Sequence, residues 1–246
     1  MNQNHSKDDL YSQPIEKISD FVFDDAVATV FEDMIQRSVP GYKAIITMTG
    51  VLAEQYTPEE ESRCYDLGCS LGAATAAMAA SINRSNNTIV AVDNSSAMIE
   101  KCCANLESIS TQSKIEIMCA DIRDIEIKDA SIVVMNFTLQ FVSPAKREDL
   151  LRKIYSGMKP GGVLILSDKI DFEDKQEKEV QTELHHAFKR LNGYSDLEIS
   201  QKRSALENVL LPDSLKVHKH RLTSVGFQNI NVWFQCFNFA SLIAIK

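Results

Sequence analysis

The chain has 246 residues, of which 44% are hydrophobic and 24% are charged, so its composition is that of an ordinary globular protein. This length suits one large α/β domain with a sizeable core. The net charge of -8 disfavours binding to a nucleic-acid backbone, which requires clustered Lys and Arg. No apolar stretch approaches the roughly 20 residues that cross a bilayer, and the N-terminus lacks the apolar core of a signal peptide. We therefore predict a cytoplasmic protein that binds neither nucleic acid nor membrane directly.

The N-terminal part of the chain is predicted to be helical after a loosely held start. Residues 1–20 are mostly polar and are expected to be flexible. From Asp24 to Gln55, apolar residues recur at helical spacing and are interrupted by Pro40-Gly41. This pattern predicts two helices joined by a sharp turn. An acidic loop, Pro58 to Ser62, then leads into a short apolar run that begins at Cys64 and stops at a glycine.

Strands and helices alternate after this loop. The predicted elements are a helix from Ala73, strand Thr88–Val92, a helix from Ala97, strands Lys114–Cys119 and Ser131–Asn136, helix Pro144–Met158 and strand Val163–Ser167. Such alternation predicts a mostly parallel sheet with helices on both faces.

The C-terminal part is predicted to add helices and a final strand pair. Residues 174–224 are predicted to form a helical insertion of two or three helices. Two closing apolar runs, Ile230 to Phe234 and Leu242 to Ile245, are close enough in sequence to pair antiparallel. No internal repeat or linker is visible, so we expect residues 1–246 to form a single domain.

The cysteines and histidines show no pattern typical of a disulfide framework or a metal site. None of the six cysteines lies in a C-x-x-C motif. The histidine pairs at 185 and 186 and at 218 and 220 lack the i, i+4 spacing that places two imidazoles on one helical face. We therefore expect reduced, mostly buried thiols and no bound metal.

Polar groups follow four successive predicted strands. In an open α/β sheet the ligand binds beyond the carboxyl ends of the strands, near the point where strand order reverses. The groups found there are the segment Asp66-Leu67-Gly68-Cys69-Ser70-Leu71-Gly72, then Asp93-Asn94, Asp121-Ile122 and Asn136. The glycine segment follows a strand and opens a helix, as a nucleotide cofactor site requires.

The glycine segment favours S-adenosyl-L-methionine over a dinucleotide. Ser70 occupies the place of the middle glycine that lets a pyrophosphate touch the main chain. Asp66, directly before the loop, would repel a diphosphate but suits an amino group or a sulfonium. Asp93 lies about 25 residues after Gly68, near the separation expected of a carboxylate that binds ribose hydroxyls. The alternative for Asp93 is an N-terminal cap of the following helix.

The remaining strand ends each have two interpretations. Asp121 could accept a hydrogen bond from the adenine amino group, with the backbone of Ile122 completing the edge contact; alternatively, it is an ordinary surface carboxylate. Asn136 ends a strand too apolar to tolerate an unpaired amide, so it contacts either a ligand or a buried structural partner.

Longer strings of residues make the resemblance more specific. The strand ends resemble the class I S-adenosylmethionine-dependent methyltransferase fold. Beyond them, six segments resemble the carboxy-S-adenosylmethionine synthase family: Gln36–Tyr42, Tyr65–Thr75, Asn136–Phe141, Asn192–Tyr194, Glu198–Arg203 and Trp233–Phe239.

This resemblance implies a Rossmann-like seven-stranded sheet with its last pair antiparallel, a homodimer, and a specific reaction. S-adenosyl-L-methionine and prephenate would yield carboxy-S-adenosyl-L-methionine and phenylpyruvate. A downstream tRNA carboxymethyltransferase would use the product to modify wobble uridine. The ligand contacts carried over are Tyr42, Gly68, Cys69, Ser70, Asp93, Asn94, Asp121, Ile122, Asn136 and Arg203.

Arg203 separates the implied function from ordinary methyl transfer. A guanidinium stays charged and holds a carboxylate through two parallel hydrogen bonds, which fits the new carboxyl group and a catalytic role. Without the resemblance, Lys202-Arg203 is a solvated patch on a helix. The competing functions are a methyltransferase acting on a small molecule or tRNA, a noncatalytic nucleoside-binding partner, and a nicotinamide dehydrogenase.

Overall fold

The computed structural model describes residues 6–246. Its strands are β1 Ser62–Leu67, β2 Asn87–Asp93, β3 Lys114–Cys119, β4 Ala130–Asn136, β5 Met158–Asp171, β6 Asp213–Ser214, β7 Gln228–Cys236 and β8 Phe239–Ile245. Its α-helices are α1 Asp25–Ser38, α2 Tyr42–Tyr56, α3 Ala73–Ser81, α4 Ser96–Leu106, α5 Pro144–Gly157, α6 Lys175–Leu191, α7 Asp196–Leu206 and α8 Leu215–Val225. A short 3-10 helix, Leu139–Phe141, follows β4.

The strands form one sheet in the order β3-β2-β1-β4-β5-β8-β7. Strands β1 to β5 are parallel, and β8 runs antiparallel to both β5 and β7. The predicted mostly parallel sheet with a closing antiparallel pair is therefore confirmed. Within residues 6–246 an eighth strand, β6, adds two residues beside the end of β5. No pattern predicted it, because two residues carry no periodicity.

The central strands are buried on both faces, which explains their continuous apolar runs. All residues of 132–135 in β4 and 163–166 in β5 are buried. Side chains of α5 and α8 pack on one face of the sheet, and side chains of α2 and α3 pack on the other. The strand order reverses at β1, which lies between β2 and β4. A ligand site is expected beyond the carboxyl ends of these three strands.

Side-chain caps fix where the inserted helices α6 and α7 begin. The Asp174 side chain accepts a hydrogen bond from the Glu177 backbone N–H at the start of α6. At the start of α7, Ser195 and Glu198 form a reciprocal capping box. Three helices occupy the predicted insertion 174–224, two of them before β6 and one after it. Helices α6 and α7 pack against α1. Both contribute residues to the cavity at the carboxyl ends of the strands.

The N-terminal segment was expected to be loosely held, and residues 1–5 lie outside the described residues. Asp8 is instead buried, with 1% of its surface exposed. Its carboxylate accepts hydrogen bonds from Tyr194 and from Lys202 Nζ, the latter at 3.2 Å. The Ile15 N–H donates to Gln201 Oε1 at 2.7 Å. The polar residues of this segment therefore bond to α7 and its preceding loop instead of facing only water.

The thiols are less uniformly buried than expected. All six cysteines are free, but only Cys64, Cys69 and Cys102 are buried, whereas Cys103 and Cys119 are exposed. Within the described part of the chain, residues 6–246, no helix combines the length and apolar character needed to cross a bilayer.

Candidate ligand-binding site

A cavity of about 490 Å³ opens at the carboxyl ends of the central strands. Its walls come from the strand ends, from α1 and α2, and from the inserted helices α6 and α7. Nine of the ten predicted contact residues line it: Tyr42, Gly68, Cys69, Ser70, Asp93, Asn94, Asp121, Ile122 and Asn136. The strand-end rule therefore placed side chains from four separate segments around one space.

The loop after β1 requires glycine at position 68. Gly68 has φ of +83°, and a Cβ placed there would lie 2.3 Å from Thr138 Oγ1. Both the positive φ and the close approach exclude other side chains without rearrangement. Ser70 also has positive φ, +48°, and its N–H donates to Asp93 Oδ2 at 2.9 Å. A strained non-glycine residue held by a buried carboxylate is typical of a functional loop.

Asp93 connects this loop to the start of α4. Its Oδ1 accepts a hydrogen bond from the Ser95 N–H at 2.9 Å. The N-cap of α4 is Ser95, whose Oγ accepts from the Met98 N–H at 3.2 Å. The capping alternative for Asp93 is therefore wrong. Burial raises the pKa of Asp93, while backbone N–H groups of Ser95, Ser70 and Asn94 act in the opposite direction.

Asp66 places a fully buried carboxyl beside the cavity. Its Oδ2 accepts hydrogen bonds from the Thr75 N–H at 2.9 Å and from the Thr75 hydroxyl at 2.6 Å. Burial raises the pKa of Asp66 to about 6, and the charge of Asp93 adds to this effect. The pKa of Tyr42 is also raised, by burial first and then by the charge of Asp66. This part of the cavity favours a cationic ligand group because its carboxylates are poorly solvated.

Asp121 lies at the edge of the cavity in an ion pair. Arg123 contacts it through Nε at 2.9 Å and through Nη2 at 2.5 Å. This pairing lowers the pKa of Asp121. Ile122, between the two charged residues, is buried and lines the cavity. Asp121 is therefore neither a lone surface carboxylate nor an uncompensated charge.

Only one of the two polar atoms of the Asn136 side-chain amide has a hydrogen-bond partner among residues 6–246. Its Oδ1 accepts a hydrogen bond from Ser167 Oγ at 2.7 Å. Its Nδ2 is buried and lacks a partner among residues 6–246. Both alternatives for Asn136 thus have support, because one end has a structural partner while the other leaves a donor at the cavity. The next residue, Phe137, has φ of +61°, so a second strained residue lies at the site.

Arg203 is the predicted contact residue that the structure does not bring to the cavity. It is exposed on α7, whereas the preceding residue, Lys202, is buried and lines the cavity. Successive residues of a helix differ in direction by about 100°, so the two side chains lie on different faces. The charge of Arg203 nevertheless lowers the pKa of Lys169.

Sequence reasoning missed three lysines and one histidine that line the cavity: Lys169, His185, Lys189 and Lys202. Lys169 lies near the carboxyl end of β5, where the strand-end rule could have found it. The other three belong to inserted helices whose position relative to the sheet no local pattern indicated. His185 Nε2 is 2.8 Å from the Ser38 carbonyl oxygen, and burial lowers the pKa of its imidazole to about 3.

The cavity therefore has two electrostatically distinct ends. Its carboxylates, Asp66, Asp93 and Asp121, lie at the carboxyl ends of β1, β2 and β3, while the lysines come from β5, α6 and α7. Strand β5 lies two positions from β1 in the sheet, which corresponds to about 10 Å at the usual strand spacing. The acidic end suits a cation, and the basic end suits a carboxylate.

Comparison with known proteins shows which family the chain resembles. A methyltransferase domain family matches residues 65–162, which contain the glycine loop and three other strand ends. The carboxy-S-adenosyl-L-methionine synthase of Aliivibrio fischeri strain MJ11 is 58% identical over 239 residues, covering 97% of this chain and 98% of the relative. That of Vibrio campbellii is 56% identical over 246 residues, covering all of both chains. The chain belongs to the carboxy-S-adenosyl-L-methionine synthase family.

Solved structures place this synthase family member among methyltransferase folds. Human N-acetylserotonin methyltransferase has a TM-score of 0.60 at 16% identity, covering 90% of this chain and 55% of that one. An O-methyltransferase family protein from Burkholderia thailandensis has a TM-score of 0.62 at 12% identity, covering 90% and 59%. These similarities concern the fold alone, and the chain spans little more than half of each protein. Membership of the synthase family identifies the chain as an enzyme of the transferase type.

Proposed function

We propose that the protein forms carboxy-S-adenosyl-L-methionine from S-adenosyl-L-methionine and prephenate, releasing phenylpyruvate. The observation that carries this proposal is the division of one cavity into an acidic and a basic end. S-adenosyl-L-methionine has a sulfonium and an amino group, which suit the carboxylate end. Prephenate has two carboxylates, which suit the lysine end. Identity of 56–58% over nearly the whole chain to synthases of that name supports the same reaction.

The adenosyl ligand would occupy the strand ends in a defined order. Asp93 would accept hydrogen bonds from the ribose hydroxyls, while Asp121 and the backbone of Ile122 would contact the adenine edge. The unpartnered Asn136 Nδ2 would donate to the ligand. Asp66 would stabilise a cationic group, since its buried carboxyl has only Thr75 as a hydrogen-bond partner among the described residues.

The proposed reaction balances without a metal or a redox partner. Prephenate loses its ring carboxylate as carbon dioxide and its ring hydroxyl as hydroxide when it aromatises. The S-methyl group loses a proton, the resulting ylide carbon bonds to carbon dioxide, and the proton and hydroxide leave as water. A cavity lined by apolar and aromatic side chains would exclude bulk water from the ylide and keep carbon dioxide near it.

Arg203 remains our proposed partner of the new carboxylate. Because it is exposed on α7 in the described chain, this role requires α7 to shift or a second subunit to supply the residue. We also propose a cytoplasmic homodimer whose product is used by a tRNA carboxymethyltransferase at wobble uridine. Exposed apolar side chains on α6, Val180, Leu184 and Leu191, support the dimer proposal.

Mass spectrometry of the reaction products tests the proposed function. The purified protein is incubated with S-adenosyl-L-methionine and prephenate, and we expect a nucleoside that carries one additional carboxyl group together with phenylpyruvate. Reactions without prephenate serve as the control. A methylated acceptor with no carboxylated nucleoside would instead show ordinary methyl transfer and overturn the proposal.

Calorimetry of an arginine variant tests the role of Arg203. We expect Arg203→Lys to bind S-adenosyl-L-methionine within a few fold of the unsubstituted protein, but to lose about 1.5–3 kcal/mol toward the carboxylated product. Arg190→Lys is the matched control, because Arg190 is also exposed on an inserted helix and pairs only with Asp196 among the described residues. Equal weakening of both ligands in Arg203→Lys would refute the assigned role.

A further inference from the structure

The basic end of the cavity holds more positive charge than the surrounding protein compensates. Three lysines from three different elements line it: Lys169 from β5, Lys189 from α6 and Lys202 from α7. The carboxylates that line the cavity all lie at the other end, at the carboxyl ends of β1 to β3. Bringing several ammonium groups into a desolvated space is costly unless each has an anionic partner.

Lys202 has such a partner within the protein. Its Nζ lies 3.2 Å from Asp8 Oδ2 and 3.3 Å from Ser38 Oγ, and both charged side chains of the pair are buried. The guanidinium of Arg37 lies next to the same group of residues and donates to the Asp8 carbonyl oxygen at 3.1 Å. Lys202 therefore forms a buried structural ion pair with Asp8 in the wall of the cavity.

Lys169 and Lys189 have no comparable partner. In the chain from residue 6 onward, neither Nζ forms a hydrogen bond or ion pair. Lys189 has only 8% of its surface exposed. Burial lowers its pKa to about 7, and the positive charges of Lys202 and Lys169 act in the same direction. Burial and the charge of Arg203 lower the pKa of Lys169.

The surroundings of these two amines include few groups that could neutralise them. Asp8, already bonded to Lys202, acts weakly on Lys189, and Asp171 acts on Lys169 but pairs with Lys178. The imidazole of His185 is neutral near pH 7 because burial lowers its pKa to about 3. The charged or titratable groups that face the two amines are Asp8, Asp171, Lys178, His185, His186, Lys202 and Arg203.

An aromatic wall lies beside the same amines. Phe137 and Phe239 meet edge to face with ring centroids 6.0 Å apart, and His185 packs against Phe239 at 5.0 Å. All three side chains line the cavity. An apolar surface next to two uncompensated amines matches a ligand that combines a carbon ring with two carboxylates.

We infer that Lys169 and Lys189 form a two-point site for a dicarboxylate co-substrate, with one amine for each carboxylate. This inference rests on the proposed function, in which prephenate is that co-substrate. The arriving anion supplies the missing negative charge and raises the pKa of both amines. Binding near pH 8 therefore takes up a proton, chiefly at Lys189.

A complex that cannot react isolates this binding step. S-adenosyl-L-homocysteine lacks the methyl group, so the protein saturated with it can be titrated with prephenate by calorimetry. We expect Lys169→Gln and Lys189→Gln to weaken prephenate binding about 10- to 100-fold, while S-adenosyl-L-homocysteine affinity stays within about threefold. Lys175→Gln is the matched control, because this substitution also removes one positive charge, but at an exposed residue at the start of α6.

Repeating the titration in buffers of different ionisation enthalpy measures the proton uptake. At pH 8 we expect about one proton to be taken up by the unsubstituted protein and far less by Lys189→Gln. Unchanged prephenate affinity in both variants would overturn the inference alone. Weakened S-adenosyl-L-homocysteine binding of the same size would also overturn it, because the amines would then hold the amino-acid carboxylate of the nucleoside. Failure of the unsubstituted protein to bind prephenate would defeat the proposed function and the inference with it.

Discussion

The Ser70 N–H donates a hydrogen bond to Asp93 Oδ2 at 2.9 Å, and this contact joins the loop after β1 to the end of β2. The two segments are neighbours because β2 pairs in parallel with the whole length of β1. One carboxylate thus holds a residue with left-handed backbone conformation in place and also lines the cavity.

Replacing Asp93 tests this double role. We expect Asp93→Ala to weaken S-adenosyl-L-methionine and its carboxylated form equally, by about 10- to 100-fold, because the ribose and the loop are common to both. Calorimetric titration of both ligands measures the effect. Ser95→Ala, which removes the cap of α4, is the control and should lower thermal stability without such a loss of affinity. If Asp93→Ala leaves both affinities unchanged, Asp93 does not contact the ligand.

Asp66 should make ligand binding depend on pH. Its folded-state pKa of about 6 lies above the usual 3.8, so the carboxyl becomes neutral as the pH falls through 6 and the acidic end loses a charge. Affinity for the cationic S-adenosyl-L-methionine should therefore decrease from about pH 7 to about pH 5. Asp66→Asn should bind weakly throughout this range, whereas Asp124→Asn, an exposed control, should keep the original profile. A pH-independent affinity in the unsubstituted protein would contradict this account.

Gly68→Ala should disturb the loop for two separable reasons. The added methyl group would lie 2.3 Å from Thr138 Oγ1, and the residue would have to keep φ near +83°. We expect a loss of about 1–3 kcal/mol in unfolding free energy, together with weaker ligand binding, measured by denaturant unfolding and calorimetry. The double variant Gly68→Ala with Thr138→Ala removes the hydroxyl clash and should recover part of the loss. Wild-type stability of the single variant would show that the loop adapts freely.

Lys189 should reduce stability in a defined pH range. Its folded-state pKa of about 7 lies below the usual 10.5, so the unfolded chain binds an additional proton between these values and stability rises with pH. The cost of burying the charge is fully present below pH 7. Lys189→Met should therefore be more stable near pH 6 by up to a few kcal/mol, at about 1.4 kcal/mol per pKa unit, with the gain declining toward pH 10. Thermal unfolding across this range measures it, and Lys175→Met should show no such trend.

The sequence predicted the sheet and the acidic end because both depend on local signals. The apolar run Thr88–Val92 and the alternating run Lys114–Cys119 are each followed within two residues by an aspartate, so each strand end was visible in its own segment. The basic end was not predicted, because it depends on where α6 and α7 pack relative to β5. Lys189 looks like any solvent-facing lysine in a helix of mixed charge, and only tertiary packing buries it.

Arg203 and Asp8 show the same difference between local and tertiary information. The resemblance indicated Arg203 as a contact, yet helix geometry places it on the exposed side of α7 and turns Lys202 inward. Asp8 lies in a polar segment that was expected to be flexible, but Lys202 and Tyr194 bind its carboxylate. Both partners of Asp8 are about 190 residues away in the chain, so they leave no periodic signal near it.

The strand order has a consequence for how a small molecule enters the site. The carboxylates lie at the ends of β1 to β3, and the amines lie beside β5. The electric field in the cavity is therefore expected to point from the amines toward the carboxylates. Such a field exerts a torque on any zwitterion before it touches the walls. S-adenosyl-L-methionine, with a positive sulfur and a negative carboxylate, would therefore be aligned on arrival, and the reversed pose would be disfavoured by both charges.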